Sequence, residues 1–182
     1  KVNSANKQTE ISISLLSLPD YLAQASLVLQ LADHQLHYSQ NHMWAEPLNK
    51  AISTALSHDL NSSNNLIRFS VSPAYNRLET GDIALKITSF QATHQSQVLL
   101  IGSYTFYRNI FHSAPQQYQS EAQNTQTQHF TFAVTLTEDG YPHAVEKMRA
   151  AITLLAQQIS ANINRQNSLK NAANTLNNTG DK

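Results

Sequence analysis

Hydrophobic side chains recur at every second position in a series of separate runs along this chain, and at every third or fourth in two clear stretches. Ile11, Ile13 and Leu15 alternate with Ser12 and Ser14, and Leu27, Leu29 and Leu31 repeat the spacing. Successive side chains of a strand point to opposite faces, so this pattern predicts strands with one apolar face. Leu36 and Tyr38 follow a turn expected at Ala32-Asp33, which makes those runs a hairpin. Further strands are expected from Leu66 to Val71, from Ile83 to about His94 and from Val98 to Arg108. Phe130, Phe132, Val134 and Leu136 alternate with Thr131, Ala133, Thr135 and Thr137, the mark of a strand with one wet face.

The two exceptions are helical. Leu48, Ala51, Ile52, Ala55, Leu56 and Leu60 form one stripe, expected to run to about Asp59 and to stop in the Asn61-Ser62-Ser63-Asn64-Asn65 cluster. Val145, Met148, Ile152, Leu155, Ile159 and Ile163 form the other. The sum is an α/β chain: a single domain with a mixed β-sheet and two main amphipathic helices packed on it. A length of 182 residues suffices for one real core. The boundaries are a disordered polar segment over 1–8, the folded domain over 9–165 and an Asn-rich tail over 166–182, read as fraying helix or disorder.

Composition narrows the function. Twelve basic and twelve acidic side chains cancel, which argues against a nucleic-acid partner. The absence of cysteine excludes a disulfide framework, a thiol nucleophile and a Cys-ligated metal. No apolar run approaches the roughly 18 residues that span a bilayer. The chain begins at Lys1, so an upstream segment is expected to have been removed.

No constellation of catalytic groups emerges. Of the eight histidines, His34 and His37 lie three apart on a predicted strand and face opposite ways; the others are scattered without a helical zinc motif. With only Gly81, Gly102, Gly140 and Gly180, the chain has neither a nucleophile elbow nor a phosphate-cradling loop. An enzyme, a metal site and a cofactor are therefore not expected. Tyr104 and Phe106 of "YTFYR" are expected to pack against the helices and Tyr107 to face away. The polar stretch 109–126 exceeds the roughly 12–15 residues usual for structureless loops, and its Ile110, Phe111 and Tyr118 make it a candidate partner-contact loop.

Two short motifs remain. "LPDYL" comprises Leu18, Pro19, Asp20, Tyr21 and Leu22, and its proline breaks the first strand. "WAEPL" comprises Trp44, Ala45, Glu46, Pro47 and Leu48 at a strand-to-helix corner. There Pro47 is expected as the first helical residue, Glu46 at the positive helix end, and Trp44 mostly buried as the wedge of the corner. This ordered pair resembles the PqiC/YmbA family of ABC-type transport auxiliary lipoproteins, the paraquat-inducible protein C family. The likeness continues through "LKITSFQA", "VLLIGSYTFYR" and "AVEKMRAAITLLAQQIS", and spans roughly residues 10 to 165.

The resemblance implies a non-enzymatic outer-membrane lipoprotein facing the periplasm, with its lipid anchor upstream of Lys1. It implies an accessory role beside an MCE-domain (mammalian cell entry) transport protein, PqiB-like, in moving lipid between membranes and supporting membrane integrity. A homo-oligomeric ring is part of that expectation. The family offers no catalytic residue to carry over, and its short aromatic strand after the lipidated cysteine has no counterpart in residues 1 to 9. The alternative from the residues is a stand-alone periplasmic lipid-binding module.

Overall fold

A computed structural model describes residues 9–72, 82–107 and 126–177. The alternating runs form β1 (Thr9–Ser17), β2 (Ser26–Ala32), β3 (Gln35–Met43), β4 (Ile67–Val71), β5 (Ile83–Thr93), β6 (Gln97–Phe106) and β7 (Gln126–Thr135). The stripes form α1 (Leu48–Ser63) and α2 (Tyr141–Asn177). The expected mixed sheet with two helices on it is the observed architecture.

β5 is the spine. One of its edges pairs antiparallel with β6 along its whole length, from Ile83 opposite Phe106 to Thr93 opposite Gln97, and β7 follows outside β6. Its other edge is shared by two parallel strands laid end to end. β1 takes the first half, with Ile13 opposite Ile83 and Leu15 opposite Leu85; β2 takes the far end, with Leu29 opposite Ala92. β4 extends the sheet beyond β1 and β3 extends it beyond β2.

One face of this sheet lies under the helices. The even positions of β6 are all buried, from Val98 through Leu100, Gly102 and Tyr104 to Phe106, whereas its odd positions are half-buried on the opposite face. Ile11, Ile13, Ile83 and Leu85 meet Ile52, Leu56, Leu60, Leu155 and Ile159 in the core. Each such side chain contributes about 1.5–3 kcal/mol on burial. At Gly102 a side chain has no room: a Cβ would fall on the Lys86 carbonyl oxygen and 2.7 Å from the Phe130 ring. Phe130 stands directly opposite Gly102 across the β6–β7 pair and covers it.

Boundaries moved where side chains found remote backbone. α1 continues past Asp59 into its polar cluster because two of its residues bind β4. The Asn61 amide donates to the Phe69 carbonyl at 2.8 Å and accepts the Phe69 N–H at 2.8 Å, while the Ser57 hydroxyl donates to that carbonyl at 2.9 Å. Asn64 then ends the helix, its side-chain oxygen accepting the N–H groups of Leu66 and Ile67. α2 runs on through the Asn-rich stretch to Asn177.

Candidate functional site

The two motifs are the joints that let the chain fold this way. Leu18 to Leu22 spans the gap between the two strands sharing one β5 edge. Pro19 ends the ladder, and Asp20–Leu22 forms a single 3₁₀ turn in which the Leu22 N–H donates to the Pro19 carbonyl at 2.9 Å. Leu22 is buried and Asp20 exposed. The Tyr21 hydroxyl donates to the side-chain oxygen of Gln91 at 2.8 Å, and the Phe90 N–H donates to the same oxygen at 2.9 Å. The Gln91 amide in turn donates to the side-chain oxygen of Gln30 on β2. Burial pushes the Tyr21 phenol above its ordinary range and keeps it a neutral donor. The turn is thereby bolted to the last third of β5.

The second joint turns the β2–β3 hairpin into α1. The Trp44 N–H donates to the Ala25 carbonyl at 2.8 Å, closing the hairpin just before the helix. Trp44 packs against the core with most of its surface covered, as expected, although it leaves an edge strand whose side chains other than Ser39 are exposed. One expectation needs correction. Pro47 stands just before the helix instead of within its first residue, with ψ at 130°, and the helix begins at Leu48. Its carbonyl accepts the N–H groups of Lys50 and Ala51, so it still supplies the first helical acceptor. Ala45 is exposed, Leu48 is buried, and Glu46 forms a 3.3 Å ion pair with Lys50 one turn on.

The helices are clamped by charge. The Arg149 guanidinium on α2 grips the Asp59 carboxylate of α1 through both oxygens, and the Thr153 hydroxyl donates to one of them at 2.8 Å. The Arg149 fork holds the Asp59 carboxyl at about 2, well below the usual carboxylate range. Tyr104 and Phe106 are buried as expected, Tyr104 accepting a hydrogen bond from Asn162 of α2, and Tyr107 is exposed.

The histidines are dispersed. His34 lies in the β2–β3 turn, while His37 stands opposite Leu29. His42 stacks on Tyr141 with ring centroids 3.9 Å apart, pinning the end of β3 to the start of α2. No three metal-ligating side chains converge among the described residues. Ile110, Phe111 and Tyr118 lie outside the described residues.

One concavity occurs where sequence reading pointed to nothing. At the far end of β5, a groove of about 280 Å³ opens between β2, β5 and the approach to α2. Leu29, Leu31, Ala92, Leu136, Tyr141 and Ala144 supply its apolar lining, and Glu138 and Asp139 stand on its rim. Leu136 continues the alternation of β7 and packs at the edge of the core, whereas Leu31 continues that of β2 and is exposed.

Comparisons with known proteins give one family and two similar folds. The family model described as an ABC-type transport auxiliary lipoprotein component matches residues 1–160. A crystal structure of an uncharacterized protein is similar with a TM-score of 0.71 at 18% identity, over 86% of this chain and 92% of that one. A Xanthomonas campestris protein of the DUF330 family model is similar with a TM-score of 0.64 at 13% identity, over 93% of each chain. No curated protein matches the sequence. At these identities the two structures support the fold alone.

Proposed function

Because the chain belongs to the family of ABC-type transport auxiliary lipoprotein components, we propose that it is the non-enzymatic accessory lipoprotein of an MCE-type intermembrane lipid transport system. In this reading it is anchored by lipid to the outer membrane, faces the periplasm, acts as a homo-oligomer and supports membrane integrity. The observation that carries it is the family match over residues 1–160 of a fold whose two distinctive motifs are both joints. The family is a class of transport component rather than of enzymes. No helix among the described residues is long and apolar enough to cross a membrane, which accords with attachment through a lipid.

The test is capture of the full-length lipidated protein from gently solubilised membranes. The expected result is co-purification of an MCE-domain subunit in fixed proportion. Recovery of a stably folded protein with no such subunit, carrying instead a bound acyl chain, would favour a stand-alone periplasmic lipid-binding module.

A further inference from the structure

We propose that the groove at the far end of β5 is the docking site for an extended polypeptide segment of the transport partner, one that pairs an apolar side chain with a basic one. This rests on the accessory reading above. The apolar seat comes from three segments distant in sequence, among them Leu29 and Leu31 of β2 and Leu136 before α2. Leu31 is 49% exposed although it continues the alternation of β2. Its side chain lines the groove yet leaves about half of its surface to solvent.

The rim selects the occupant. Glu138 and Asp139 are exposed, and neither has an ion-pair partner among the described residues. The recess that continues from the groove, about 490 Å³, shares both carboxylates and is lined by no lysine or arginine. Asp33 lies beside it, 3.6 Å from His94. A phosphate-bearing lipid head placed here meets the like charge of Glu138 and Asp139, with His94 as the one basic side chain lining the recess and already beside Asp33, whereas a lysine or arginine beside an apolar anchor meets complementary charge. A segment of that kind matches both halves at once. The stack of Tyr141 on His42 fixes one wall in advance, which lowers the ordering cost of binding.

The test uses the full-length chain in detergent and the purified periplasmic portion of the MCE-type subunit. Leu31→Ser and the double change Glu138→Gln with Asp139→Asn alter exposed side chains, so the fold is retained; Arg68→Gln, exposed on β4 away from the groove, is the control. Both groove variants are expected to bind the subunit roughly tenfold more weakly, with the control unchanged. Raising salt should weaken wild type but leave the charge-removed variant nearly unaffected. Groove variants that bind like wild type would overturn the docking site while leaving the accessory role standing. A wild-type chain that binds no subunit would remove both. Unchanged subunit binding with altered uptake from phosphatidylethanolamine vesicles, or with a changed light-scattering mass, would reassign the groove to lipid or to a second copy and overturn the proposal.

Discussion

Tyr21 and Gln91 are seventy positions apart, yet one hydrogen bond between them decides where the chain changes strands. Replacing Tyr21 with Phe keeps the ring and deletes the donor, while the Gln91 oxygen retains the Phe90 N–H. The expected loss is therefore about 1 kcal/mol by urea denaturation, the ordinary net worth of a neutral hydrogen bond. Trp44→Ala should cost about 3 kcal/mol, the low end of the range for a buried aromatic, because the side chain packs on the core without being fully enclosed. A variant that melts like wild type would show that the ring does not pack there. Gly102→Ala is the harsher change: its Cβ meets the Lys86 carbonyl, which cannot retreat without opening the β5–β6 pair, and also the Phe130 ring that covers it from β7. About 3 kcal/mol is expected, read as a lower melting temperature.

At the scale of elements, pH separates the helix clamp from the apolar core. The Asp59 carboxyl titrates at about 2 in the folded protein against 3.8 as its ordinary value. The folded state thus binds this proton less readily than the unfolded chain. The clamp's contribution is complete above about pH 4 and disappears as pH falls toward 2. With Arg149 partly exposed the clamp is expected to contribute about 1–2 kcal/mol, and Asp59→Asn should flatten the stability profile through that window. A variant profile parallel to wild type would mean that the pair is not formed. Strands and helices of this kind are legible in the sequence because periods of 2 and 3.6 are local: Ile11-Ile13-Leu15 and the Leu48–Leu60 stripe needed no partner to be read. The pairing was not legible. Nothing near Leu15 or Leu29 says that both strands lie parallel on one edge of β5, since that depends on a turn held by Gln91.

For the whole molecule, the proposed division of labour is that both family motifs hold the sheet together while the open end of β5 is left to meet a partner. The motifs were visible as motifs because they break periodicity with proline. The groove was invisible because its walls come from β2, β5 and the lead into α2, each unremarkable alone. Hydrogen exchange of the full-length protein, with and without the MCE-type subunit, tests this division most directly. The expected result is new protection at 29–31 and 136–144 on binding, with no change at 18–22 and 44–48, which are already held by internal hydrogen bonds. Protection confined to the two motifs, with the groove segments unaltered, would contradict the account.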